Sequence, residues 1–295
     1  MSYTIDFSEL QRNPTVVVVG VGGTGSLVAD GLCRLLTGTD VRLILDDYDI
    51  VEEHNLLRQA FYAGDVGKFK AQVLAERLSR QYGRPVGYTI FPFEKDIFDE
   101  HIGAGMIHKA MNMLIIGCTD NAAARRKISE SMKWTNCWID SGNGHSSGQV
   151  LIGNTNSKAE LRECFDEDNK IVKRLPTPSL QSPMLLIPPT VPEKPRDCAE
   201  AVVDNDQNPI INQAMATLVL DFVWKLLSGK LTHMGAYIDM DAGTLPYVPA
   251  NPVTVSRMFS IKVGELMMNK CALGARYHTP VVGITRDGRT IAGTT

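Results

Sequence analysis

Thr15-Val-Val-Val-Val19 is a run of β-branched residues that ends on a glycine-rich turn, Gly20-Val-Gly-Gly-Thr-Gly25. Such side chains favour the pleated strand, and the absence of polar alternation predicts a strand buried on both faces. Residues 26–36 follow, with Leu27, Val28, Leu32, Leu35 and Leu36 on one side of a predicted helix that ends near Gly38. A doubly buried strand that feeds a helix through glycines belongs to a sheet covered by helices on both faces. Backbone N–H groups at that helix N-terminus, with no Cβ in the way, form a site for phosphate.

The alternation continues along the chain. Residues 41–45 predict a second strand whose carboxyl edge delivers Asp47. A helix is predicted over 70–80, where Val73, Leu74 and Leu78 stack, then strands at 86–91 and 113–117, a helix over 122–132 and a strand at 137–141. Residues 148–152 read as a strand returning antiparallel. The expected fold is therefore α/β: a doubly wound, Rossmann-like, mainly parallel sheet with an antiparallel extension, binding ligands at the carboxyl ends of its strands. Between 175 and 195 lie seven prolines, which predict a long extended crossover loop, and loops of that length are usually functional. Residues 214–227 predict a deeply packed helix, set against the sheet or across a subunit interface, with Ala214, Met215, Leu218, Val219, Phe222, Val223, Leu226 and Leu227 on one broad face.

Bulk properties narrow the classes. The chain has 295 residues and a net charge of −3 with both signs mixed, so no basic field points to nucleic acid. The cations around 68–84 and the run Arg125-Arg126-Lys127 read as solvated helix faces. Residues 1–14 carry Asp6 and Glu9 and lack an apolar core, so no secretory leader is expected. No stretch is expected to reach the roughly 18 apolar residues of a membrane span. Six cysteines, at 33, 118, 137, 164, 198 and 271, form no CxxC pair and predict free thiols in a reducing cytoplasm.

Chemistry concentrates in five ordered motifs: the glycine turn, Asp47-Tyr-Asp49, Asn55-Leu-Leu-Arg-Gln59, Gly67-Lys-Phe-Lys70 and Cys118-Thr-Asp-Asn121. An acid at the end of the second strand can accept both ribose hydroxyls, in NAD proteins as in others. Asn55, Arg58, Lys68 and Lys70 all follow Asp47 within 23 residues, and the three cations among them suit a leaving pyrophosphate. An NAD(P)-dependent oxidoreductase would explain the glycines and Asp47 but leave Arg58, Lys70 and Asp120 idle. Asp120, in the loop after the 113–117 strand, can hold Mg²⁺ through one carboxylate and phosphate oxygens, or cap the next helix. Asp49 can share that metal or accept backbone donors in its loop.

The set and its order resemble the ThiF/MoeB/E1 superfamily, whose members adenylate the C-terminus of a small ubiquitin-like protein. The resemblance covers residues 14–153 well and 198–227 more loosely. It implies that Gly22, Gly23 and Gly25 bind the nucleotide, with Gly20 and Asn121 completing that wall. It implies that Asp47 binds ribose, that Asn55 and Arg58 contact phosphates, that Lys70 rather than Lys68 stabilises the α,β-phosphates, and that Asp120 binds magnesium. Within the superfamily the chain is similar to the ThiF-related protein of a bacterial cassette with ParB-related and ThiF-related members, on Cys198-Ala-Glu-Ala, Asn212-Gln-Ala-Met-Ala and length.

The implied cofactors are ATP and Mg²⁺, and the implied partner is a β-grasp protein ending in glycine. A conjugating or sulfur-transfer protein would act downstream. The implied layout is one adenylation domain over 1–295, with a nucleotide-binding half (14–153), a Pro-rich crossover (154–200) and a partner-binding, dimer-forming half (201–295). Many relatives hold zinc on two CxxC pairs; none exists here, so no structural zinc is expected. Many also offer an arginine to the partner's ATP, and only Arg12 precedes the first strand. A homodimer is nonetheless expected from the apolar 214–227 helix. Cys198, beside Arg196, stands where loop cysteines of the superfamily accept the acyl group; Cys164 is the second candidate, while Cys33 and Cys137 read as core and Cys118 as packing. A nucleotide-binding scaffold that recognises such a partner without turnover is the non-enzymatic alternative.

Overall fold

The computed structural model describes residues 2–7, 14–94, 113–133, 136–188, 209–268, 282–284 and 290–292. Its first regular element, β1 (Thr4–Ile5), pairs with β9 (Ile171–Val172), which also pairs with β8 (Phe165–Asp166). The large sheet is built from β2 (Thr15–Val19), β3 (Arg42–Asp46), β4 (Val86–Thr89), β5 (Met113–Gly117), β6 (Cys137–Asn143), β7 (Ser147–Gly153), β10 (His233–Asp239) and β11 (Tyr247–Pro249). Its order is β11-β10-β7-β6-β5-β2-β3-β4. The strands from β6 to β4 run parallel, and β7, β10 and β11 extend the sheet antiparallel. Strand order reverses between β2 and β5, which opens a crevice at their carboxyl ends.

Every residue of β2 is buried, as its sequence requires. Val16 and Val18 face one core layer with Leu32, Leu74 and Phe222, while Val17 and Val19 face the other with Ile128 and Trp138. The first layer is covered by α1 (Gly23–Leu35), α2 (Lys70–Tyr82) and a long helix, Pro209–Leu227, packed against α1 and the β6–β7 hairpin. On the second layer lies α3 (Ala122–Ser131).

The Pro209–Leu227 helix starts earlier than predicted, because proline is tolerated at a first helical turn. Met215, Leu218, Val219, Phe222, Val223 and Leu226 are buried within this one chain, each contributing about 1.5–3 kcal/mol if fully buried. The alternative of a subunit interface is thus answered by intramolecular packing, and this face gives no argument for a dimer. The expectation that no stretch nears membrane-span length is corrected here: Ile210–Leu227, 18 residues of mean hydropathy 1.4, meets that test, with half of it buried inside the fold.

Two readings of the proline-rich segment also change. Pro178 and Pro183 open short helical turns, Pro178–Gln181 and Pro183–Leu186, instead of extending the chain. Proline lacks only a donor that a first turn leaves unused. Residues 189–208, the rest of that segment, lie outside the described residues. The residues beyond Pro246 read as short strand-like runs, and β11 is one of them, whereas the His and Gly in β10 and the shortness of β1 hide those two strands from pattern reading.

Candidate active site

At the carboxyl ends of β2, β3, β5 and β6 lies a cavity of about 860 Å³. Its first limb is the glycine turn and what surrounds it. Gly20 has φ +82, open to glycine and costly for other residues, and its N–H donates to the Asp46 carbonyl at 2.8 Å. Gly25 lets α1 begin against the Gly20 carbonyl, which a Cβ would overlap. Gly20, Gly22 and Gly23 line the cavity and Gly25 does not; Gly22 differs in that only Gln59 comes near the space its Cβ would take. The glycines therefore divide into those the fold needs and one that keeps the α1 N-terminus open to an anion.

Asp47 ties this turn to β3. Its Oδ2 accepts the Val21 N–H at 2.7 Å, and its Oδ1 accepts the Asp49 N–H at 2.9 Å. Burial raises its pKa, opposed by those two backbone donors and by Lys70. Asp46 is buried as well; burial, then the Asp47 charge, push its carboxyl well above the usual range, and its Oδ2 has no partner.

The 3-10 turn Glu53–Leu57 carries the phosphate motif. Buried Asn55 accepts the Glu52 N–H on Oδ1 at 3.0 Å, which shapes the turn and sets Arg58 at its end, on the cavity wall. Lys70 opens α2, is 7% exposed, and donates from Nζ to Asp49 Oδ2 at 3.0 Å. Asp49 thus serves as the counter-ion of Lys70. Lys68 is exposed, donates to the Gly64 carbonyl at 2.8 Å, and does not line this cavity. Asp120 is exposed at the exit from β5 and lines the cavity. The helix cap is its neighbour: Asn121 accepts from Ala123 at 2.8 Å and Ala124 at 3.3 Å. Asp120 therefore keeps its carboxylate for other work, whereas Asn121 spends its oxygen on α3.

Sequence reasoning missed several residues of the wall. Arg125, read as part of a solvated basic run, is buried and donates from Nε to Asp140 Oδ1 at 3.0 Å. Burial lifts the Asp140 carboxyl to about 6, with the Arg125 charge opposing. Arg125 sits at i+3 from Ala122, on the inner side of α3, which its charged neighbours masked. A second limb of the cavity is formed by Gly142–Gly144, Ser147, Tyr237, Thr244 and Pro246, from the antiparallel extension. Thr24, Asn143 and Asn212 stand where the limbs meet.

The cysteines separate cleanly. Cys33 and Cys137 are core, as expected. Cys164 is 2% exposed and burial pushes its thiol up to about 12, which removes it as an accessible nucleophile. Cys118 lines the cavity, and burial likewise raises its thiol. Cys198, with Arg196, and Arg12 lie outside the described residues.

The donor set fits a triphosphate nucleotide and one Mg²⁺. Open N–H groups at α1, the cations Arg58 and Lys70, and the unspent carboxylate of Asp120 face one space. Of six buried side-chain polar atoms without a partner among the described residues, four belong to its wall: Asp46 Oδ2, Gln59 Oε1, Ser141 Oγ and Asn212 Nδ2. Unsatisfied groups concentrate where a ligand would complete them.

Comparison with known proteins agrees with this architecture. Ubiquitin-like modifier-activating enzyme 5 of Dictyostelium discoideum is 32% identical over 139 residues, 44% of this chain and 35% of that protein. Its counterpart in Aedes aegypti is 35% identical over 140 residues, 44% of this chain and 34% of the relative. The chain thus spans about a third of the length of the curated relatives it matches. Among solved structures, PaaA shares the fold at TM-score 0.54 and 18% identity, covering 82% of this chain and 74% of that one. E. coli MccB does so at TM-score 0.52 and 16% identity, covering 82% and 63%. The ThiF family model matches residues 6–254, the span that carries the glycine turn, the cavity and the long helix beneath it, and this chain belongs to the ThiF family.

Proposed function

We propose that this protein adenylates the C-terminal carboxylate of a small ubiquitin-like or sulfur-carrier protein, using ATP. The observation that carries the reading is the meeting of an open helix N-terminus, Asp47, Arg58, Lys70 and Asp120 around one cavity. A carboxylate oxygen of the partner attacks the α-phosphorus, the bond to the α,β-bridging oxygen breaks, and pyrophosphate leaves with the electron pair. No base is needed, because a C-terminal carboxylate is already ionised near pH 7. Charge grows on the departing pyrophosphate, where Lys70 and Arg58 offset it. Asp47 accepts the ribose hydroxyls on the lone pairs left by Val21 and Asp49. Asp120 is the residue that would hold Mg²⁺, which when bound supplies charge neutralisation at the phosphates.

Relatives named as activating enzymes for ubiquitin-like modifiers support the substrate class. In the further step of this reading, the Cys198 thiolate attacks the acyl carbon, the bond to AMP breaks, and a thioester forms. The nucleotide half (14–153), the crossover (154–200) and the partner-binding half (201–295) act as one domain. The assembly is a homodimer.

The test is pyrophosphate–ATP exchange with purified protein, Mg²⁺ and a β-grasp protein ending in glycine. Exchange that depends on the partner's free C-terminus is expected. NADH binding without ATP binding would put an oxidoreductase in its place, and ATP binding without exchange for any such partner would leave a scaffold.

A further inference from the structure

Asn212 reaches the cavity wall from the first turn of the Pro209–Leu227 helix and is 1% exposed. Its Oδ1 accepts twice, from Thr24 Oγ1 at 3.3 Å and from Asn143 Nδ2 at 3.1 Å. Those bonds set the amide oxygen toward Thr24 and Asn143 and leave its nitrogen against Gly23, the first residue of α1. Nδ2 has no partner, and a Cβ on Gly23 would stand 2.5 Å from it, so this donor is set against the glycine turn. Three elements thus cooperate to hold a buried donor that has nothing to donate to. A native fold rarely keeps such a group unless a ligand, an ion or a water completes it.

Position decides which ligand. On one side lie the turn, Arg58 and Lys70, which already supply donors for phosphates. On the other side the second limb begins at Asn143 and continues through Gly144, Ser147 and Tyr237. Asn212 stands at the junction, where a chain entering the second limb would meet the nucleotide. We infer that Asn212 Nδ2 is a substrate-binding donor for the acyl end: it holds the carboxylate oxygen that does not attack, which becomes the carbonyl oxygen of the acyl-adenylate. The inference rests on the adenylation reading and assigns the acyl half of the same site. It also gives a reason for glycine at position 23, since a larger residue would displace the donor.

The test is calorimetric binding of three probes: ATP with Mg²⁺, sulfamoyladenosine, and the acetylglycyl sulfamate of adenosine, an unreactive mimic of a glycyl-adenylate. Asn212→Asp keeps the acceptor for Thr24 and Asn143 and replaces only the donor; Asn212→Ala removes both, and ATP binding reports folding in each. Wild type should prefer the acylated sulfamate over the plain one, and both variants should lose about tenfold of that preference, with ATP affinity within about threefold of wild type. An unchanged preference would overturn the inference, as would equal loss for all three probes, which would assign Asn212 to phosphate or to the turn itself. A wild-type protein that binds no ATP would overturn the adenylation reading and this assignment with it.

Discussion

Lys70 and Asp49 are tied twice: Nζ donates to Asp49 Oδ2 at 3.0 Å, and the Lys70 backbone N–H donates to the Asp49 carbonyl at 2.9 Å. The pair is unequal, since the lysine side chain is 9% exposed and the aspartate side chain 52%. Removing Asp49 strands a nearly buried cation, whereas removing the ammonium leaves a solvated carboxylate. Asp49→Asn should therefore lower stability by about 1 kcal/mol, and Lys70→Met, which keeps the packed stem, should melt at or above wild type. Activity should run the other way: Lys70→Met costs about 100-fold or more in partner-dependent exchange, and Asp49→Asn costs less. Melting curves and exchange rates on both variants check this, and a Lys70→Met protein as active as Asp49→Asn would remove Lys70 from the chemistry.

Asp46 gives a pH-dependent prediction. Burial, then the Asp47 charge, raise its carboxyl well above the ordinary value of 3.8, so the folded state favours the neutral form. A raised folded-state value means that stability is full below the unfolded value and is lost as pH rises through the folded one. Asp140, lifted from 3.8 to about 6, acts in the same direction between those values. Asp46→Asn removes the buried charge and keeps the shape. It should gain about 1 kcal/mol near pH 7.5, ~2–4 °C in Tm, and little at pH 4. Calorimetric melting of both proteins from pH 4 to 8 measures it; an equal difference at the two ends would mean Asp46 carries no ionisation cost.

Much of this was legible in the chain. β2 announced itself because strands buried on both faces have no polar alternation to confuse with helix, and Gly20, Asp47 and Asp120 follow from where the strands end. The residues that were missed act through tertiary contact. Arg125 belongs to the run Arg125-Arg126-Lys127, which reads as a solvated basic face, and only Asp140, fifteen positions on and in the neighbouring strand, makes it a buried ion. Asn212 lies 188 residues from Thr24, so no local pattern could join them. Pro178 and Pro183 were read through their missing donors, yet a helix start leaves that donor unused.

The homodimer of the proposed function has a surface to test. The face of the long helix that carries Met215, Val219, Phe222 and Val223 cannot supply it, being packed inside its own chain. The segment beside Arg58 and Lys70 can: Leu57 is 60% exposed and Tyr62 66%, with Tyr48, Ile50 and Val66 also exposed. Large apolar groups gathered in one exposed stretch mark interaction sites. Leu57→Asp with Tyr62→Ser should convert a dimer to monomer in light scattering after size exclusion, with helix content preserved. A dimer that persists in the double variant, or a wild type that is monomeric at every concentration, would place the contact elsewhere or remove it.

Cys198 and Cys164 make opposite predictions. Cys164 is buried beside Phe165 and its thiol is pushed up to about 12, so its thiolate is scarce near neutrality and no partner can approach it. Cys198, in Pro195-Arg-Asp-Cys198-Ala-Glu200, lies in the stretch that resembles the acceptor loops of the superfamily. With ATP, Mg²⁺ and the partner, wild type should form an adduct that survives denaturing gels and is released by thiols. Cys198→Ala should abolish it, and Cys164→Ala should keep it while losing about 1 kcal/mol of stability. If the adduct vanishes in Cys164→Ala and remains in Cys198→Ala, the burial of Cys164 must open during turnover and the acceptor is the inner cysteine. If wild type exchanges pyrophosphate yet forms no adduct, the reaction stops at the acyl-adenylate, and the transfer step belongs to a nucleophile on another protein.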